Sequence, residues 1–60
     1  MTDFSIEELE AALERINSLI SKSEKAKVNL TQGHLTLVEN RIAALRIAEA
    51  LIRKALEEGN

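Results

Sequence analysis

His34 is the single histidine of this 60-residue sequence, and histidine is the residue type most often used for acid–base chemistry. Acid–base catalysis needs an orienting carboxylate or a nucleophile beside the imidazole, and the neighbouring positions offer Thr31, Gln32 and Thr36 instead. We therefore favour a solvated residue near a helix start, with a general base or phosphoryl acceptor as the alternative. We therefore predict that the chain has no catalytic residue and that the protein is not an enzyme.

Asn40 and Arg41 form a polar pair at the start of a strongly apolar segment. A buried Asn fixes the register of helices in coiled coils, and an Arg guanidinium can bind a carboxylate or a phosphate through two parallel hydrogen bonds. We favour a role in register for this pair, while surface exposure and ligand binding stay open. Asn17 admits the same three interpretations.

Four carboxylates crowd the beginning of the chain, at Glu7, Glu8, Glu10 and Glu14. Bundle proteins that bind two metals add a Glu-x-x-His motif, which this sequence lacks. The absence of cysteine and the single histidine exclude the common zinc sites. Helix capping, solvation and the helix dipole explain these carboxylates, so we predict neither a metal nor a cofactor.

The charge balance limits the partners of the chain. Eight basic and ten acidic residues give a formal charge of −2, and one Phe is the only aromatic residue. A nucleic-acid binder usually carries a basic excess or aromatic residues on which bases stack. We expect no nucleic-acid partner, although a dimer would double the basic group formed by Arg15, Lys22, Lys25 and Lys27.

Neither a secretion signal nor a membrane span is indicated. The first residues, Met1 to Phe4, are not a basic region followed by a long apolar run. The longest stretch with few charges, residues 42–52, is far too short to cross a bilayer. These features favour a cytoplasmic protein.

The first helix has a clear start. Ser5 and Glu8 have the spacing of a capping box, and Phe4 and Leu9 have that of a hydrophobic staple. Apolar residues then recur at steps of three and four, which predicts one apolar face along a helix over about 6–27. That face consists of Ile6, Leu9, Leu13, Ile16 and Ile20.

The following segment is ambiguous because Gly33 costs a helix about 1 kcal/mol relative to Ala. Thr31 can cap a helix that starts early, whereas Thr36 can cap one as part of a second capping box with Glu39. A small β-hairpin that turns at Gln32 and Gly33 is a third option. We predict a turn over about 28–35.

The second helix is predicted over about 36–58, and Gly59 has the position of a left-handed C-terminal cap. Two helices of similar length and a short connection predict an all-α fold, with residues 1–60 as one antiparallel helical hairpin. Charge favours this orientation: the acidic start of the first helix would lie near Arg53 and Lys54, and its basic end near Glu39.

The second helix carries more apolar surface than one neighbouring helix can cover. Its seam toward the first helix is predicted at Leu35, Val38, Ile42, Leu45 and Ile52, and a second apolar surface at Leu37, Ala44, Ala48, Leu51 and Ala55. We therefore expect a homodimer, or a higher oligomer, that forms a four-helix bundle. The predicted interface comprises Leu37, Val38, Ala44, Leu45, Ile47, Ala48, Leu51, Ile52 and Ala55.

The function expected from these features is that of a small non-enzymatic protein–protein interaction module, a regulator or adaptor that associates with itself or with a helical partner protein. The competing hypothesis is a subunit of an enzyme or ligand-binding bundle whose site forms between protomers around Arg41 and His34. No motif in the sequence supports assignment to a family.

Overall fold

The computed structural model describes residues 3–59, and within this range the regular secondary structure is entirely helical. Helix α1 spans Ile6–Ala26, a 3-10 turn spans Lys27–Asn29, and helix α2 spans Gln32–Glu57. The all-α prediction is confirmed. The predicted domain also included Met1, Thr2 and Asn60, which lie outside the described residues.

Helix α1 begins at the predicted capping box. The backbone N–H of Glu8 donates to Ser5 Oγ at 3.1 Å, and the backbone N–H of Ser5 donates to Glu8 Oε1 at 3.0 Å. Two of the amide groups that a helix start leaves without partners are thereby satisfied. Phe4 and Leu9 line the same groove, and their packing on each other as a hydrophobic staple stays a prediction.

Helix α2 begins at Gln32, four residues earlier than predicted, so the predicted turn over about 28–35 is too long. Thr31 is the N-cap residue, and the backbone N–H of Leu35 donates to the Thr31 carbonyl at 2.8 Å. The Thr36 hydroxyl donates to the Gln32 carbonyl at 3.2 Å, inside the helix, instead of capping its start. The β-hairpin alternative is excluded. The early start half-buries Leu35, which offsets the conformational cost of a glycine in the first turn.

The end of α2 confirms the predicted left-handed cap. Gly59 has a φ of 70°, the conformation that glycine adopts without strain. Its backbone N–H donates to the Leu56 carbonyl at 3.1 Å, and that of Glu58 donates to the Lys54 carbonyl at 3.1 Å. The carbonyls of the last turn thus gain partners.

The two helices fold back on each other as a hairpin that measures 42 × 15 × 15 Å. Their contact, which we call the seam, holds four buried residues: Leu9, Ile20, Ile42 and Ala55. None of these is completely buried, and no polar side chain is buried within residues 3–59. The seam is therefore a thin apolar core with a single helix on each side.

Candidate protein-protein interface

The outward face of α2 carries a line of exposed apolar residues. Leu37, Ile47 and Leu51 are each 63% exposed, and Ala44 between them is exposed as well. At about 100° per residue, these four positions fall within an arc of roughly 80° on the helix surface. We call Leu37, Ala44, Ile47 and Leu51 the outer stripe.

Helix geometry explains why α1 does not cover the outer stripe. Leu45, which is half-buried in the seam, and Leu51 differ by about 120° around the helix axis. One straight neighbouring helix covers a single face, so the seam and the outer stripe cannot share α1 as their partner. Apolar residues on two faces are typical of a helix that belongs to a larger bundle.

The nine residues of the predicted interface divide between these two faces. The four residues of the outer stripe are exposed, whereas Val38, Leu45, Ala48 and Ile52 are half-buried and Ala55 is buried. The prediction that Ala55 belongs to the second apolar surface is wrong, because the structure places Ala55 in the seam at 9% exposure. The reason is that 3.6 residues per turn do not match a repeat of seven, so the seam drifts around α2 along its 26 residues.

Asn40 and Arg41 are both exposed and occupy different sides of α2. Asn40 follows Leu37 by three residues and precedes Ala44 by four, so it lies within the line of the outer stripe. Arg41 lies about 100° further around the helix. The structure thus brings Asn40, and not Arg41, into the apolar line where a register-setting residue would act.

His34 lies in the first turn of α2, where its Nδ1 is 3.3 Å from the Thr31 hydroxyl. Both residues are exposed. Arg41 is on the same side of α2, two turns away, which corresponds to about 10 Å along the axis. Within one hairpin these two groups therefore do not form one site.

Ion pairs bear on the predicted helix orientation. Lys27 Nζ lies 3.8 Å from Glu39 Oε2 and 3.6 Å from Glu24 Oε1, as expected if the basic end of α1 meets the start of α2. The pairing expected at the other end differs, because Arg53 Nη2 contacts Glu49 Oε2 of its own helix at 3.2 Å. The i, i+4 spacing makes this local contact available without the partner helix.

The hairpin has a groove near each end. The larger, of about 470 Å³, lies near the chain's start and is lined by Phe4, Glu8, Leu9, Ala11, Ala12, Arg15 and Ile52. The smaller, of about 300 Å³, lies near the connection and includes the carboxylates of Glu24 and Glu39 with Lys27 between them. Ile52 is the residue of α2 that lines the larger groove.

Residues 3–59 offer neither a metal cluster nor a helix that could span a membrane. No cluster of three or more His, Cys, Asp or Glu side chains there has the arrangement of a metal site. Neither α1 nor α2 combines the length and the apolar character that crossing a membrane demands. The predicted cytoplasmic location stays a prediction.

The regular 3-4-3-4 spacing from Leu37 through Asn40, Ala44 and Ile47 to Leu51 is a feature that the sequence analysis missed. Its signal in the sequence is a repeat of seven residues, at which Leu37, Ala44 and Leu51 recur. No protein-family model matches the sequence, and no curated protein or solved structure matches it either.

Proposed function

We propose that this protein is a self-associating helical interaction module, in which two hairpins pack through their outer stripes into a four-helix bundle. As a dimer it would serve as a small regulator or adaptor. The observation that carries the proposal is the outer stripe, because a line of exposed apolar side chains on one helix is typical of a protein–protein interface.

The exposed area of the hairpin supports a second copy as the occupant. A compact monomer of 6.7 kDa exposes about 3,900 Å², whereas this hairpin exposes 4643 Å². The excess is roughly 700 Å², and a stable interface of standard size buries about 800 Å² on each partner. One dimer contact would thus bring the exposed area of each chain to the value expected for its mass.

The residues beside the outer stripe also suit a helix as the partner. Ala43 and Ala50 flank it on one edge, and both are exposed. Alanine loses no rotamer freedom on burial and has little bulk, so it permits a second helix to approach closely. Charged residues on α2, such as Arg46 and Arg53, lie away from this line and can stay in solvent.

Sedimentation equilibrium over about 1–100 μM tests the proposal. We expect an apparent mass that rises with concentration toward twice 6.7 kDa. Val28→Ala is the matched control, because Val28 is 82% exposed and lies in the connection between the helices. A mass of 6.7 kDa at every concentration would contradict self-association and leave a different helical protein as the partner of the outer stripe.

A further inference from the structure

The line that contains the outer stripe extends farther along α2 than its apolar members. Gly33 precedes Leu37 by four residues, and the positions Gly33, Leu37, Asn40, Ala44, Ile47 and Leu51 follow steps of four, three, four, three and four. All six residues are exposed. This is the spacing of one heptad face, which a second helix covers along its whole length in a coiled coil.

Gly33 has no explanation within a single hairpin. Gly33, unlike Gly59, does not have a positive φ. Its backbone conformation therefore does not require glycine. A Cβ atom at Gly33 would meet nothing within 4 Å, so no close contact inside the hairpin requires it either. The surface at Gly33 is therefore open, and the lack of a side chain there allows another chain to approach the backbone closely.

Pairing of two α2 helices in parallel would place each residue of the line opposite its own copy. Ala44 would face Ala44, and Ile47 would face Ile47, so narrow and wide layers would alternate. Cores pack best when large side chains face small ones, which a parallel pair does not achieve here. Parallel helix dipoles add a repulsive contribution.

Antiparallel pairing gives Gly33, the smallest residue of the line, a large residue to face. When Leu51 of one copy covers Gly33 of the second copy, Leu37 faces Ile47 and Asn40 faces Ala44. The smallest residue thus meets a large one, and every member of the outer stripe is covered. The two Asn40 residues then lie about one helical turn apart on either side of the two-fold axis, close to the centre of the interface.

A shift by one heptad gives a less complementary pair. Leu37 would then face Lys54, and Leu51 would face Asn40, so both leucines would meet polar side chains. Resting on the proposed self-association, we infer that the second copy binds antiparallel with Leu51 over Gly33, Leu37 against Ile47 and Asn40 beside Ala44. Asn40 is the residue that sets this register.

The pairing brings the two Arg41 side chains to the same edge of the interface, near the two-fold axis. Both are exposed in the hairpin and can extend into solvent. Like charges in such exposed positions repel each other weakly because water and salt screen them. The Arg41 charges therefore do not decide the register.

Cysteine pairing tests the register directly, because the protein has no cysteine of its own. A chain with Leu37→Cys is mixed with a chain with Ile47→Cys and equilibrated in a redox buffer. We expect mixed disulfide dimers at least about tenfold in excess over either homotypic dimer, since the two thiols are held at a high effective concentration. Sedimentation equilibrium of the reduced mixture shows whether dimers are present.

The alternative outcomes are distinct. Homotypic Leu37→Cys disulfides would indicate parallel helices, and mixed disulfides of Leu37→Cys with Lys54→Cys would indicate the shifted register. Either result overturns this inference while the dimer itself stands. A parent protein that sediments as a monomer overturns the proposed function as well.

Gly33 provides an independent readout. Gly33→Leu fills the space that Leu51 of the second copy would occupy. We therefore expect the dissociation constant of the dimer to increase by at least about tenfold. Gln32→Leu is the control, because it adds the same side chain one position away, outside the heptad line. Equal dimer affinity for the two variants would overturn the inference.

Discussion

Leu51→Ala is the substitution that measures how much the outer stripe contributes to association. Leu51 is 63% exposed in the hairpin, and full burial of a leucine side chain stabilises by about 1.5–3 kcal/mol. Covering the exposed part therefore contributes roughly 1–2 kcal/mol for each copy, and the lower value is appropriate because alanine keeps one methyl group. A symmetric dimer contains the residue twice, so we expect a loss of about 2 kcal/mol, or a dissociation constant about 30-fold higher.

Sedimentation equilibrium at several concentrations measures this dissociation constant, and circular dichroism at low concentration measures the helix content. Helix content should be preserved in the monomer, because alanine is at least as good a helix former as leucine and the site is exposed. Val28→Ala should leave the dissociation constant within about twofold of the parent protein. The reasoning is refuted if Leu51→Ala dimerises as tightly as the parent, or if Val28→Ala weakens the dimer as much.

Three further substitutions test other parts of the structure. Ser5→Ala removes the hydrogen bond that the Ser5 hydroxyl accepts from the backbone N–H of Glu8. It should lower the free energy of unfolding, measured by urea denaturation, by about 1 kcal/mol. An unchanged urea midpoint would contradict a structural role for the capping box. A double-mutant cycle replaces Lys27 and Glu39 by Ala, singly and together. The two side chains should show a coupling in the free energy of unfolding of about 0.2–1 kcal/mol that disappears in 1 M salt. Coupling that persists in salt would show that the pair acts through packing instead. His34→Ala should change the free energies of unfolding and of dimerisation by less than about 0.5 kcal/mol each, because the ring is exposed and its contact with Thr31 is local. A larger loss of dimer affinity in the sedimentation assay would favour a site between protomers.

Local features of α1 could be predicted from the sequence because they depend on neighbouring residues. The capping box needs Ser5 and Glu8 three positions apart, and this is the arrangement that the structure contains. The left-handed Gly59 is a local feature of the same kind. Such motifs are defined by the backbone of one turn and do not depend on the rest of the fold.

Features that depend on packing were harder to predict. The cost of Gly33 in a helix is a local property of the sequence, whereas the half-burial of Leu35 that accompanies the start of α2 at Gln32 depends on tertiary packing. Ala55 was misplaced because a projection at a constant angle ignores the slow drift of the seam around α2. The outer stripe could be predicted in part, since Leu37, Ala44 and Leu51 recur at intervals of seven.

The central claim is that the outer stripe packs against a second copy of the same chain. Isotope-filtered NMR on dimers of one labelled and one unlabelled chain tests it by detecting nuclear Overhauser effects between chains. We expect such effects from the methyl groups of Ile47 and Leu51, which are 63% exposed in the single hairpin. Methyl groups that show contacts only within their own chain at concentrations where the dimer is fully populated would contradict the claim.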